Sequence, residues 1–151
     1  MTRIGLIVVM ALTACGKTDP ELISAPDIIG DTLPMALTST PGDPARGEAL
    51  FADRDGAHCV LCHRVEGLDA PFQGNVGQDL SNIGNRLSDA QIRLRIVDYE
   101  QVKPGVTMPS YYRIHGINQV GEEYENQPAL TAQSIEDIIA YLSVLETSPD
   151  V

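Results

Sequence analysis

The stretch HCVLCH, residues 58–63, decides which fold the chain can adopt. Cys59 and Cys62 are separated by two residues and His63 follows at once, which is the C-x-x-C-H pattern of haem attachment. Thiols one helical turn apart can add to the two vinyl groups on one porphyrin edge, and the adjacent imidazole then points at the iron. The pattern predicts one covalent haem c, with Cys59 and Cys62 as thioether links and His63 as the proximal iron ligand.

A C-x-x-C pair also occurs in thioredoxin-like redox sites and in zinc sites, so these alternatives need comparison. A redox pair follows a strand in a βαβ pattern, and a zinc site needs further thiolate or imidazole ligands. Neither context surrounds this motif. The third cysteine, Cys15, lies in an N-terminal apolar segment, and the remaining histidines are His58 and His115. Haem attachment is therefore the preferred interpretation.

Length and charge narrow the class of protein. A chain of 151 residues is enough for one domain with a single core. The formal net charge of -11 argues against nucleic acid as a partner and favours partners with a basic docking face, although solubility alone explains it equally well. Aromatic residues make up 5% of the chain, which suits a core built around a large flat cofactor.

The N-terminus carries an export signal. Residues 1–15 combine Arg3 with a short apolar run over 4–12, which is too short to span a membrane. Residues 12–15, Leu-Thr-Ala-Cys, match the lipobox of bacterial lipoproteins, in which the cysteine is lipidated and becomes the new N-terminus. The sequence predicts a periplasmic protein held at the membrane only by lipidated Cys15. The alternative is a plainly cleaved signal with a stray cysteine.

Residues 16–42 hold four prolines and show no apolar periodicity, which predicts a Pro-rich tether or an arm that lies on the surface. The folded domain is expected over residues 43–151. Asp43 is placed to cap the first helix, and Pro44 suits its first position.

Two amphipathic helices are predicted at the ends of this domain. In the first, Gly47 and Phe51 lie one turn apart on the same face. Glycine inside a helix costs about 1 kcal/mol relative to alanine, so another helix is expected to cross closely there. Residues 131–146 predict that partner, with Tyr141 near its inner face. Its apolar residues recur at helical spacing: Ile135, Ile138, Ile139, Leu142 and Leu145.

A third helix is predicted from a capping box of Ser88 and Gln91 to about residue 99. No segment alternates as a strand does, so the fold is expected to be mainly α. The glycine-rich loop over 71–77 suits backbone that lies against a flat ligand. Around it, Leu80 and Ile83 are expected to add apolar wall, and Asn82 and Arg86 to meet the haem propionates.

The second axial ligand of the iron is predicted by elimination. Met1 and Met10 lie in the signal and Met35 in the proline-rich segment, which leaves Met108 and His115 in the domain. Prolines on both sides of Met108 predict a stiff loop, which holding a thioether on iron requires. Met108 is the preferred ligand and His115 the alternative. Ligation by His63 and Met108 predicts a higher potential than ligation by two histidines.

Two helices that cross through a glycine and aromatic residues resemble class I cytochromes c. Four stretches resemble SoxX more specifically: FQGNVG at 72–77, TMPSYYR at 107–113, GINQV at 116–120 and LTAQSIED at 130–137. SoxX is the monohaem subunit of the SoxAX cytochrome complex of bacterial thiosulfate oxidation. The resemblance covers roughly residues 43–146, and it implies a class I cytochrome c fold with loops that wrap one haem.

The resemblance also implies a function within a complex. A SoxA-type subunit would form a heterodimer with this chain and act as an L-cysteine S-thiosulfotransferase, joining thiosulfate to a cysteine of the carrier SoxYZ. This chain would accept the electrons and pass them to a further cytochrome c. It offers no catalytic residue of its own, so the enzyme label belongs to the complex. The alternative is a stand-alone, lipid-anchored periplasmic electron-transfer cytochrome c.

The residues that follow Met108 bear on the partner surface. Tyr111, Tyr112 and Arg113 are residue types enriched at protein interfaces and are not needed to hold a haem. Truncation of Tyr112 or Arg113 is therefore predicted to weaken a complex. Local packing against the porphyrin is the alternative.

Overall fold

The computed structural model describes residues 27–116, 118–122 and 125–146. Within these ranges the regular structure is helical: α1 Pro44–Ala52, α2 Cys59–Cys62, α3 Ile83–Arg86, α4 Asp89–Asp98 with a 3₁₀ turn at Tyr99–Gln101, and α5 Ala132–Ser143. The same ranges contain an isolated antiparallel β-bridge between Ile29 and Thr32. The prediction of a mainly α fold is confirmed.

Local sequence signals determine where these helices begin. The Asp43 carboxylate accepts from the backbone N–H groups of the first turn of α1. Ser88 and Gln91 form the expected capping box at the start of α4. Thr131 caps α5 by accepting from the backbone N–H of Ser134. Each cap satisfies donors that a helix start would otherwise leave without partners.

α5 ends at Ser143 and not at residue 146 as predicted. The backbone N–H of Leu145 bonds to the carbonyl of Leu142 at 3.2 Å, which tightens the last turn. The carbonyl of Leu145 then accepts from the N–H of Gly84 at 3.1 Å. The chain therefore leaves the helix in order to pair with α3.

The crossing of α1 and α5 forms the centre of the fold. Gly47 and Phe51 are the buried residues of α1, and the Phe51 ring lies 5.7 Å from the Tyr141 ring, centroid to centroid. A Cβ at Gly47 would collide with the Asp137 carbonyl and would lie 2.8 Å from the Tyr141 Cβ. The predicted crossing through glycine is confirmed.

A buried ion pair joins α4, α5 and the segment before α1. Arg93 and Glu136, with side chains 8% and 7% exposed, form two charge-assisted bonds of 2.7 and 2.8 Å. Arg93 also donates to the Leu33 carbonyl at 3.0 Å, and Glu136 accepts from the Leu37 N–H at 2.9 Å. These extra bonds satisfy the remaining polar atoms, which a buried ion pair requires.

These contacts change the interpretation of the proline-rich segment. Leu33 is buried, and its N–H donates to the Ala90 carbonyl at 2.9 Å. The part of the segment described, residues 27–42, is therefore an arm on the surface of the domain and not a free tether. The apolar residues of this segment that pack against the core, Ile28, Leu33 and Leu37, follow no helical or strand periodicity that a sequence pattern could detect. The predicted signal over 1–15 and the start of the arm lie outside the described residues.

A second carboxylate of α5 ties that helix to the start of α1. Asp137 is buried and accepts from Arg46 Nε at 2.8 Å and from the Asp43 N–H at 2.8 Å. The hydrogen bond from Arg46 lowers the pKa of Asp137 to about 2. This carboxylate therefore stays ionised at neutral pH and holds both helices at their crossing. None of the described helices has the length and apolar character to cross a membrane.

Candidate haem site

The haem motif forms a single helical turn. Cys59 and Cys62 are both free thiols at the two ends of α2, and Cys62 is exposed. Val60 between them is fully buried, and the His63 N–H closes the turn on the Cys59 carbonyl at 2.9 Å. Burial raises the pKa of Cys59 to about 12, which shows that its surroundings are apolar. One thiol thus faces the interior and the other the surface.

The His63 ring is oriented by a backbone carbonyl. Its Nδ1 lies 2.8 Å from the Gln78 carbonyl oxygen. A carbonyl can only accept, so Nδ1 carries a proton, and in the neutral ring Nε2 is then the nitrogen with the free lone pair. This is the arrangement that metal-ligating histidines use. Sequence reasoning missed Gln78, because a backbone acceptor has no side-chain signature.

The glycine loop over 71–77 lies directly on the haem motif. The Gly74 N–H donates to the Val60 carbonyl at 2.9 Å, and the Gly77 N–H donates to the Cys62 carbonyl at 2.8 Å. A Cβ at Gly74 would collide with the Leu61 carbonyl, and a Cβ at Gly77 would collide with the His63 ring. Both glycines therefore permit a contact that any side chain would prevent.

Met108 is half-buried and packs against the hydrophobic core, whereas His115 is exposed. Tyr111, three residues after Met108, is buried. Burial raises the pKa of Tyr111, and the Cys59 and Cys62 sulfur atoms add to that rise. The Tyr111 hydroxyl is therefore within electrostatic reach of both haem-motif cysteines. The structure brings the Met108 loop and α2 to one region of the protein.

The structure also places the residues that were predicted to line the haem or to contact its propionates. Ile83 is buried, and Leu80 is half-buried against the core. Arg86 donates to the Asp79 carbonyl at 2.8 Å. Asn82 is half-buried and precedes α3. The propionate contacts of Asn82 and Arg86 stay predictions.

Arg113, which was predicted to lie on a partner surface, forms local ion pairs. Its guanidinium lies 2.6 Å from the Glu100 carboxylate and 3.4 Å from that of Asp98, and its side chain is 18% exposed. Tyr111 is buried in the core. Both side chains thus make local contacts, while Tyr112 and Arg113 are half-buried and each keeps some exposed surface. The partner-surface role of Tyr112 and Arg113 stays a prediction.

These residues fit a haem c. Two free thiols lie one turn apart, and the neighbouring imidazole has an available Nε2. The two glycines that lie against the motif place no side chain on it. When bound, haem c supplies a one-electron iron couple. No cluster of three or more His, Cys, Asp or Glu residues suited to a metal ion occurs in the part of the chain that the structure describes.

Comparison with protein families gives a match to cytochrome c over residues 44–146. The chain belongs to the cytochrome c family. The covalently bound haem c predicted from the C-x-x-C-H motif is confirmed, and electron transfer is the role that membership of this family gives the chain.

Comparison with solved structures gives one match with a TM-score above 0.5 among the three described below. A chain of SoxXA from P. pantotrophus is 28% identical, with a TM-score of 0.73, over 79% of this cytochrome and 93% of that chain. This match confirms the resemblance to SoxX and the class I cytochrome c fold. SorU from Sinorhizobium meliloti is 22% identical over 68% of this chain and 88% of its own, with a TM-score of 0.44. Ferric cytochrome c-550 from Paracoccus versutus is 17% identical over 70% and 99%, with a TM-score of 0.38. No curated protein matches the chain.

Proposed function

We propose that this cytochrome is the electron-accepting subunit of a SoxAX-type complex that oxidises thiosulfate. The supporting observation is the SoxXA match, which extends over 93% of the matched chain at a TM-score of 0.73. In this proposal a SoxA-type partner acts as the L-cysteine S-thiosulfotransferase and joins thiosulfate to a SoxYZ cysteine. This chain takes the released electrons and passes them to a further cytochrome c.

Four residues carry the cofactor in this proposal. Cys59 and Cys62 form the thioether links, His63 is the proximal ligand and Met108 the distal one. The Nδ1–H of His63 bonds to the Gln78 carbonyl, which leaves Nε2 for iron. The half-buried position of Met108 supports its thioether over exposed His115. Both cysteines of the domain are consumed, so the sulfur chemistry belongs to the partner.

An exposed apolar surface beside the haem motif is the proposed docking site for the SoxA-type subunit. This edge patch consists of Leu61, Phe72 and Val76, which are 37%, 90% and 77% exposed. The bonds from Gly74 and Gly77 to α2 place the loop that carries Phe72 and Val76 against the helix that carries Leu61. An exposed aromatic side chain is a typical interface anchor.

The edge patch is held by ordered contacts. Gln73 accepts from the Val65 N–H at 2.7 Å and donates to the Leu68 carbonyl at 3.3 Å. Phe72 has a φ of 56°, a left-handed backbone conformation that costs free energy for any residue other than glycine. The two hydrogen bonds of the neighbouring Gln73 side chain hold the loop in which Phe72 adopts this conformation. A preorganised anchor loses little entropy when a partner covers it.

Reconstitution tests the function. The chain, a SoxA-type subunit and SoxYZ should together give thiosulfate-dependent reduction of added cytochrome c. Phe72→Ser should weaken binding to the SoxA-type subunit by about thirtyfold or more, since interface anchors contribute about 2 kcal/mol or more. The haem spectrum should not change. Met35→Ser is the matched control, because Met35 is 73% exposed but lies on the arm.

The outcomes separate two claims. If the unmodified mixture shows no thiosulfate-linked reduction and no stable heterodimer, the chain is better described as a stand-alone electron carrier. If the mixture is active but Phe72→Ser binds as tightly as Met35→Ser, the edge patch is wrong and the function stands.

The proposed domain organisation is an export signal over 1–15, a Pro-rich tether over 16–42, whose described part lies on the domain, and a cytochrome c domain over 43–151. It places the protein in the periplasm, with lipidated Cys15 as the membrane anchor. The lipobox at 12–15 and the haem motif support this, since haem c attachment is completed outside the bacterial cytoplasm. Mass spectrometry of the native protein should find a lipid-modified Cys15 at the mature N-terminus. An unmodified terminus downstream of Cys15 would contradict the anchor.

A further inference from the structure

We infer that Asp98 is a positioning residue for the distal ligand, which it holds in place through Ser110. The inference rests on the proposed assignment of Met108 as that ligand. Asp98 is the last residue of α4, and it is only 7% exposed. A carboxylate buried to this degree needs hydrogen-bond donors to offset the loss of water. The segments that supply those donors are the ones that the carboxylate holds together.

Three side chains supply the donors. The Ser110 hydroxyl donates to Asp98 Oδ1 at 2.6 Å, and Gln101 Nε2 donates to Oδ2 at 3.0 Å. Arg113 Nη1 lies 3.4 Å from both carboxylate oxygens and 2.6 Å from Glu100. Gln101 follows α4 directly, whereas Ser110 and Arg113 belong to the Met108 loop. The carboxylate therefore joins the end of a helix to that loop.

The bond to Ser110 acts close to the ligand. Ser110 is two residues after Met108, and Pro109 between them has a fixed φ. Further along, the N–H groups of Tyr111 and Tyr112 donate to the Ile96 and Val97 carbonyls at 3.1 and 3.3 Å. Within the described part of the chain, no other side-chain hydrogen bond reaches residues 104–110. Asp98 is thus the side-chain anchor nearest to Met108.

This anchor has a consequence for ligand exchange. A thioether is a weak donor, so a loop that opens readily would let another ligand compete for its position. Holding Ser110 in advance reduces the entropy lost when the loop closes. A charge-assisted bond is strong enough to change the opening equilibrium of the loop by roughly tenfold to a hundredfold.

The test uses imidazole as a competing ligand on the ferric holoprotein. Asp98→Ala and Ser110→Ala should each raise imidazole affinity about tenfold and weaken the sulfur-to-iron absorption band. The double variant should show no larger effect than Asp98→Ala alone, because the bond that Ser110→Ala removes is already lost in Asp98→Ala. Asp98→Asn should raise imidazole affinity less than Asp98→Ala does, since the amide oxygen of asparagine can still accept from Ser110. Met108→Ala should abolish the band.

Asp89→Ala is the matched control. Asp89 is the first residue of the same helix and also accepts a serine hydroxyl, from Ser143 at 2.6 Å. Its removal should leave imidazole affinity unchanged. If Asp98→Ala and Ser110→Ala behave like Asp89→Ala while Met108→Ala abolishes the band, the positioning role is wrong and the ligand assignment stands. If Met108→Ala leaves the band intact, the assignment itself is wrong. Should Asp98→Ala fail to fold, Ser110→Ala decides.

Discussion

Gly47→Ala is expected to destabilise the folded protein by about 3 kcal/mol or more. Overpacking of a core usually costs about 1–3 kcal/mol, and relief here requires a rigid neighbour to move. The new Cβ would collide with the Asp137 backbone carbonyl, and it would lie 2.8 Å from the Tyr141 Cβ. Neither atom is the end of a flexible side chain, so α1 and α5 would have to separate.

Separation of these helices would break more than one contact. The Phe51 and Tyr141 rings are 5.7 Å apart across the crossing. Beside them, Asp137 on α5 accepts from Arg46 on α1 at 2.8 and 2.9 Å. These interactions depend on the same interhelical distance. The loss is therefore expected to be cooperative and not confined to one methyl group.

Denaturant unfolding of the holoprotein measures the change in the free energy of unfolding. The sign of this change is informative, because helix propensity predicts the opposite sign from overpacking. Alanine is favoured over glycine inside a helix by about 1 kcal/mol, so propensity alone predicts that Gly47→Ala stabilises. The reciprocal change Ala49→Gly, at an exposed position of α1, is the control and should cost only about 1 kcal/mol. A stabilised Gly47→Ala variant would show that the helices do not cross tightly.

The sequence predicted this part of the fold because its signals are local. Asp43, Ser88 and Thr131 act on their own helices, and the apolar residues of α5 are buried at the spacing that the chain itself displays. The glycine at position 47 was interpretable for the same reason, since its cost inside a helix demands a compensating contact. Patterns within one helix thus predicted a contact between two.

Long-range polar contacts were not predictable in this way. Arg93 and Glu136 are 43 positions apart in sequence, and residues of these types are mostly exposed in proteins. Their pairing is what turns the described arm into part of the domain, through Leu33 and Leu37. Nothing near Leu33 in the sequence indicates which helix will accept it.

In the haem site, too, local patterns were predictable from the sequence and long-range contacts were not. Cys59, Cys62 and His63 were identified from spacing alone, because covalent chemistry at a porphyrin edge fixes that spacing. Gln78 contributes a backbone carbonyl, so its side chain carries no trace of the role. Arg113 was predicted to lie on a partner surface from its residue type, which did not indicate its ion pairs with Asp98 and Glu100. The identity of a residue does not reveal which neighbours the fold brings to it.

Gly77→Ala is expected to disturb iron ligation while leaving the haem covalently attached. A Cβ at this position would collide with the His63 ring, and its distance to Nε2 would be 2.8 Å. The ring would have to turn, and the bond from its Nδ1 to the Gln78 carbonyl would be lost. Loss of such an orienting bond typically weakens metal binding by about tenfold to a hundredfold. The thiols of Cys59 and Cys62 would keep their spacing.

Two measurements on the Gly77→Ala holoprotein separate attachment from ligation. A pyridine haemochrome assay after acid-acetone washing should still find haem in equal molar ratio to protein, because Cys59 and Cys62 are intact. The ferric spectrum should lose its low-spin character, and the haem should bind added imidazole more readily than in the unmodified protein. Val76→Ala is the control, since this neighbour is 77% exposed and should change neither property. An unaltered spectrum for Gly77→Ala would mean that the His63 ring can move aside without cost. The Gln78 carbonyl would then not be what orients the proximal ligand, because the alanine leaves no room for the ring in its present position.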